Sequence, residues 1–286
     1  MKEILLTIDF KQHHINEYTT FCRQLLATNQ SELQNVHKIE REYRDRVPIW
    51  WYTYPCFLYS MLNGSLRIMV VDLIIRMGFF IQDLRNNIAK FHGQQFIGSS
   101  SSSSFTVYRG QGLSKADFDQ LVKAKGALLS FNNFVSTSEN LQVSLRFILD
   151  PSISSIPYAD VHDASHFKGE KEILLSMYSI FRIGSMKQID GNNRLWQVDL
   201  TLTGDTDAEL HVVTGHMREV IYSGAEEWDR LGTLLFQLGE FDKAQETGQG
   251  EYKDAIAYFQ QSIEIQQKIL QPTDVDFATT YSNIGP

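Results

Sequence analysis

Apolar residues fall three or four apart from Leu73 through Met77, Phe80, Leu84, Ile88 and Phe91, and this spacing predicts a helix opening near Asp72 with one stripe facing a core. Upstream, residues 47–66 carry no charge and are rich in aromatics, long enough on paper to cross a bilayer. Pro48 and Pro55 break that stretch, and Tyr52, Thr53, Ser60, Asn63 and Gly64 make it too polar for hydrocarbon, so it reads as buried helix and loop with no membrane partner. Helices therefore dominate the first part of the chain. Residues 98–104, almost all serine, read as the flexible loop that ends it.

Beyond that loop the pattern is mixed. Thr106-Val107-Tyr108 is β-branched and aromatic, which places Arg109 at the end of a strand. Ser114, with Asp117 three residues on, opens a short helix over 115–124. Residues 127–131 with Phe134-Val135 read as a second apolar strand delivering Ser136 at its exit, and Ser136-Thr137-Ser138 also suits the N-cap of a helix over 139–149. A further strand runs through Ile173, Leu175 and Met177 and reaches a hairpin signal, Asp190-Gly191-Asn192-Asn193. Trp196, Val198, Leu200 and Leu202 then alternate with polar Gln197, Asp199 and Thr201, a half-buried strand. The fold class is α+β with antiparallel sheets.

Composition adds bounds. With 286 residues, 43% hydrophobic and 12% aromatic, the chain fills a core and has room for an enzyme domain. A net charge of -8 argues against a nucleic-acid surface. Cys22 and Cys56 cannot make a disulfide framework, and Glu3 and Asp9 interrupt the first ten residues where a signal peptide would be apolar, so a reducing, cytoplasmic setting is expected.

The chemistry lies in three short pieces: Tyr108-Arg109-Gly110, Phe134-Val135-Ser136-Thr137-Ser138, and Glu170-Lys171-Glu172-Ile173-Leu174-Leu175. Each alone has an ordinary use, as a surface ion pair, a helix cap or a solvated charge run. In this order they resemble the Arg / Ser-Thr-Ser / Glu-x-Glu signature of the mono-ADP-ribosyltransferases, enzymes that move ADP-ribose from NAD onto a protein side chain. The residue types suit that chemistry. A fixed guanidinium at Arg109 grips a pyrophosphate bidentately, Gly110 and Gly112 let a ligand approach the backbone, and the hydroxyls hold a ribose or orient a carboxylate. Glu170 and Glu172 share a strand face if the strand reaches that far back. Breaking the nicotinamide–ribose bond builds positive charge on the ribose, and a preorganised carboxylate beside it, for which Glu172 is the candidate, stabilises that charge more in the transition state than in the ground state.

The resemblance implies more. It implies an ADP-ribosyltransferase fold, two packed and mainly antiparallel sheets flanked by N-terminal helices, with NAD as co-substrate in the cleft and no metal. Arg109, Gly110, Ser136, Thr137, Ser138 and Glu172 would bind NAD; Glu172 would bond the ribose hydroxyl and Glu170 would handle the incoming nucleophile. A Gln at the position of Glu170 accompanies other acceptors in the family, so Glu170 points to an arginine on a protein acceptor. The string Phe57-Leu58-Tyr59, with Leu62-Asn63 and Leu66-Arg67, is similar to the helical region of animal members, and residues 157–169, with Tyr158, His162, His166 and Phe167, correspond by analogy to an acceptor-recognition loop. His162 and His166 lack the helix and glutamate of a metal pair, and Gly110-Gln111-Gly112 lacks the third glycine of a dinucleotide fingerprint.

The tail follows another pattern. Trp228, Leu231, Gly232, Leu235 and Ala244, with Gly239-Glu240-Phe241 as a turn, fall at the spacing of the first half of a tetratricopeptide repeat. Tyr252, Ala255, Phe259 and Ile263 fit the second helix of another, and Tyr281, Ile284 and Gly285 begin a third, which resembles kinesin light chain repeats. Ala244 and Ala255 are too close for two full units, so the expectation is an all-α stub for partner binding, against the plainer reading of an amphipathic helical tail. The resulting division is an N-terminal extension over 1–38, a catalytic domain over 39–223 and partial repeats over 224–286. The expected activity is NAD-dependent ADP-ribosylation of a protein arginine. Its rivals are an NAD glycohydrolase with water as acceptor, and an inactive interaction module.

Overall fold

The computed structural model describes residues 2–96, 104–139, 145–150, 153, 155–168, 171–189, 195–204, 207–208, 230–232 and 234. The chain divides into two compact units, Phe10–Val213 and a second made of Met1–Asp9 with Thr214–Pro286. In the second unit the described residues include helix α1 (Lys2–Leu5) and a helical turn at 230–232; the repeat pattern, apart from Leu231 and Gly232, lies outside the described residues.

The larger unit begins with helices. These are α2 (Gln12–Leu25), α3 (Gln30–Glu42), α4 (Pro48–Thr53), α5 (Phe57–Arg67), α6 (Val71–Arg76) and α7 (Gly78–Gln95). Pro48 starts α4, where its fixed φ fits and its missing N–H costs nothing, and Pro55 falls in the break before α5. Trp51, Tyr52, Leu58, Leu62 and Leu66 are buried, as the charge-free stretch predicts, and none of the described helices is long and apolar enough to cross a membrane. The stripe from Leu73 to Phe91 is divided between α6 and α7. At the break, a Cβ on Gly78 would have to displace the ring of Phe10.

The strands are β1 (Phe105–Arg109), β2 (Leu128–Phe131), β3 (Val135–Ser138), β4 (Leu145–Leu149), β5 (Tyr158–Asp160), β6 (Glu172–Leu175), β7 (Ser179–Gln188) and β8 (Trp196–Leu202). Helix α8 (Lys115–Lys123) follows β1, capped by the Ser114 hydroxyl, which accepts from the Asp117 N–H at 3.1 Å. Instead of two separate sheets there is one eight-stranded sheet in the order β2-β7-β8-β4-β1-β3-β6-β5. It is antiparallel except for the β4–β8 pair. Two blocks are still visible in it. β1 pairs with β4 at five positions and with β3 at one, Tyr108↔Ser138, so β3-β6-β5 joins the other five strands through a slender joint. Both blocks feed one apolar core, with Val107, Phe147, Phe181 and Leu200 from one side and Val135, Ile173, Leu175 and Tyr158 from the other.

Three local expectations are corrected. Residues 127–135 form two strands, because β2 pairs with β7 while β3 pairs with β6 and β1, and Ser136 therefore sits inside β3 and not at its exit. Residues 145–149, read as helix, form β4: Leu145, Phe147 and Leu149 alternate into the core between β1 and β8, and tertiary pairing outweighs the capping signal before them. The strand through Met177 stops at Leu175, since Tyr178 adopts a φ of 54° and turns the chain from β6 into β7. The Asp190-Gly191-Asn192-Asn193 turn lies outside the described residues. The hairpin it would close is present, with β7 and β8 antiparallel and the Ile189 N–H donating to the Leu195 carbonyl at 3.0 Å.

Candidate active site

Arg109, residues 136–138 and Glu172 lie on three adjacent strands, β1, β3 and β6, beside the joint between the blocks. Arg109 is the last residue of β1, opposite core-facing Leu145. From there its guanidinium reaches across to β3 and donates to the Ser136 carbonyl oxygen at 2.7 Å. One of five N–H donors is used in this bond. Gly110 follows it at the surface, and a Cβ on Gly112 would meet nothing within 4 Å.

On β3 the hydroxyls divide by alternation. Thr137 is buried, and its Oγ1 donates to the Ile173 carbonyl at 2.8 Å, so it clips β3 to β6 on the core side. Ser136 and Ser138 lie on the opposite face, half-buried. Ser138 stands directly opposite Glu172, the first residue of β6. Because register partners share a face, a row of polar side chains crosses five adjacent strands: Glu172, Ser138, Tyr108, Arg146 and Asp199. It ends in an ion pair, with Arg146 Nη1 3.6 Å from Asp199. Glu170 lies outside the described residues, and the described strand starts at Glu172.

Helices α4 and α5 supply groups that sequence reasoning did not assign to the site. Tyr52 on α4 is buried, its ring 5.9 Å from Phe134, the residue that leads into β3, and 5.1 Å from Tyr59. The Asn63 amide donates to the Tyr52 hydroxyl at 3.0 Å, while Asn63 Oδ1 is buried with no partner among the described residues. Burial, above all, pushes the Tyr52 phenol far above its usual range; the Glu172 charge pushes the same way and the Arg109 charge opposes it. Of the signature residues, Glu172 and Arg109 thus bear on this phenol, each less than burial does. No local pattern marks it, because in a run of buried aromatics one tyrosine reads like any other.

The segment before Glu172 is fixed at its feet. Val161 donates its N–H to the Glu172 carbonyl at 2.9 Å. Gln95 of α7 exchanges two bonds with the Asp160 backbone, at 2.8 and 2.9 Å, and His92 Nδ1 lies 2.9 Å from the Tyr158 carbonyl. Of the two histidines on the loop, His162 sits 3.2 Å from the Asp163 carboxylate and His166 packs against α4.

The chain is similar in structure to the Clostridium limosum C3 exoenzyme, at 18% identity over 55% of this chain and 83% of that one, with a TM-score of 0.42. It is similar to C3stau2 from S. aureus, solved with NAD, at 18% identity over 63% and 96%, with a TM-score of 0.42. It is also similar to the ADP-ribosyltransferase HopU1 of Pseudomonas syringae pv. Tomato, at 18% identity over 58% and 82%, with a TM-score of 0.43. No protein-family model matches the chain, and no curated protein matches it.

Proposed function

We propose that this protein transfers ADP-ribose from NAD to an arginine side chain of a protein acceptor, releasing nicotinamide. The observation that carries the reading is that β3 links residues of all three signature pieces: Arg109 donates to the backbone carbonyl of Ser136, and Glu172 stands opposite Ser138. In order along the chain and in side-chain chemistry they match the Arg / Ser-Thr-Ser / Glu-x-Glu pattern.

In this reading the remaining donors of Arg109 bind the pyrophosphate, and the hydroxyls of Ser136 and Ser138 line the same face as Glu172. The C1′–N bond to nicotinamide breaks, its electron pair leaves with nicotinamide, and the positive charge left on the ribose is stabilised by the Glu172 carboxylate. A guanidinium nitrogen of the acceptor bonds to C1′ and loses a proton, and Glu170 is the carboxylate proposed to accept it. Tyr52, packed on Phe134 and bonded by Asn63, is the neighbour proposed to orient Glu172 from the helix side.

Incubating the protein with NAD and agmatine, a small arginine analogue, tests the assignment. An ADP-ribosyl-agmatine adduct supports the transferase. Free ADP-ribose without adduct marks a glycohydrolase, and intact NAD marks a binding module.

A further inference from the structure

Beside the site, α3, α4 and the loop over 161–168 build a face on which aromatic rings and cations alternate. Trp50 and Tyr54 stack with centroids 4.7 Å apart at 18°. His166 stands edge-on to both, at 5.3 and 5.1 Å, and its backbone N–H donates to Thr53 Oγ1 at 2.7 Å. Lys38 Nζ lies 4.4 Å from the Tyr54 centroid and 5.1 Å from that of Trp50, and the Arg46 guanidinium carbon lies 4.7 Å from Trp50. Phe167, next to His166, is 46% exposed.

The cations on this face rest on rings and not on carboxylates. Several cations of the same helical region have carboxylate partners: Arg23 pairs with Glu40, Arg41 with Glu42, Arg44 with Asp83 and Arg76 with Asp72. Lys38 and Arg46 have none within ion-pair distance among the described residues, although the chain as a whole carries a net charge of -8, exposed Asp45 directly precedes Arg46 and exposed Asp163 lies on the loop that carries His166. Their places over aromatic rings hold both cations in position without neutralising them. The face is also continuous with the reacting centre, since the loop that carries His166 and Phe167 returns to Glu172 through the Val161 bond, and Thr53 follows Tyr52 directly.

We infer that this face docks the protein acceptor and selects an arginine flanked by acidic residues, a conclusion that rests on the transferase reading above. The two ends of such an acceptor have opposite charge complements. Acidic flanking side chains meet Lys38 and Arg46, with their aliphatic parts on Phe167 and Trp50, and the arginine is directed to the carboxylate of Glu172. An acceptor with basic flanks is repelled at the first contact.

Three peptides of equal length test this, each with one central arginine flanked by Glu, Gln or Lys, with agmatine as the acceptor that has no flanks. The Glu-flanked peptide is expected to show a KM about tenfold below the Gln-flanked one, the size of two exposed ion pairs, with the Lys-flanked peptide weakest. The gap should close in high salt and in the Lys38→Gln/Arg46→Gln variant, while nicotinamide release and agmatine modification stay unchanged. Equal KM values for Glu- and Gln-flanked peptides, or a gap that survives in the variant, overturn the inference. So does a short single-stranded oligonucleotide that displaces the Glu-flanked peptide at a lower concentration than the peptide's own KM. If agmatine is not modified at all, the transferase reading fails separately, and anisotropy of the labelled peptides still decides the face: tighter binding of the Glu-flanked peptide, lost in the variant, supports it, and equal binding refutes it.

Discussion

Arg109 donates to the carbonyl oxygen of Ser136 across the joint between β1 and β3, so the cation of the candidate site is held by the strand whose Ser138 stands opposite the candidate catalytic carboxylate, Glu172. A guanidinium can make this bond and still present further N–H donors in the same plane.

Arg109→Lys keeps the charge and loses the fork. NAD affinity should fall about tenfold or more, while the melting temperature moves by only a few degrees, because a single partly buried bond is lost. Titration calorimetry beside a thermal melt separates the two; unchanged NAD affinity would remove Arg109 from the binding site.

Glu172→Gln preserves size and removes the charge that would face the developing cation. Transfer and NAD hydrolysis should both drop by about two to three orders of magnitude, with NAD affinity little altered. Turnover within a few-fold of the parent rules out the catalytic assignment.

Glu170→Gln tests the division of labour between the two carboxylates. Arginine modification should be suppressed while slow NAD hydrolysis persists, since water needs less positioning than a guanidinium. Measuring adduct and nicotinamide in one reaction gives both rates, and equal losses would mean that Glu170 supports the site as a whole.

Tyr52→Phe leaves the buried Asn63 amide without its acceptor. Stability should fall by about 1–2 kcal/mol, and kcat should fall several-fold more than the KM for NAD changes, because a carboxylate losing its orienting neighbour affects the transition state most. Urea unfolding with steady-state kinetics reads both, and a pure stability loss would confine Tyr52 to a packing role.

Burial raises the thiols of Cys22 and Cys56 from an ordinary 9.0 to about 11. Both folded values lie above the unfolded one, so the associated stability is complete below pH 9.0 and is lost as pH rises toward about 11. Unfolding midpoints measured across that window should decline less steeply for a Cys22→Ala/Cys56→Ala variant than for the parent; identical slopes would contradict the burial effect.

The periodicity of the chain made some features legible and concealed others. The alternation of Val198, Leu200 and Leu202 matches β8, and the Ser114 cap marks α8, because both signals lie within a few residues of the structure they specify. Residues 145–149 are ambiguous in sequence because Leu145-Arg146-Phe147-Ile148-Leu149 suits a helix or a strand, and its pairing with β1 and with the distant β8 decides the outcome. The three signature pieces could be found by residue type and order, yet the turning of Thr137 into the core follows only from the register between β3 and β6. The surroundings of Tyr52 are not legible in the sequence, because its neighbours Phe134 and Asn63 are brought to it by folding.

The single register pair between β1 and β3 has a mechanical consequence. Every other neighbouring pair of strands shares at least three described positions, so this joint is the sheet's narrowest seam, and Arg109 lies on one side of it with Ser136, Ser138 and Glu172 on the other. A substrate gripped by both sides would act as a staple across two halves that the backbone alone fastens weakly, and occupancy of the site would then register as cohesion of the whole sheet.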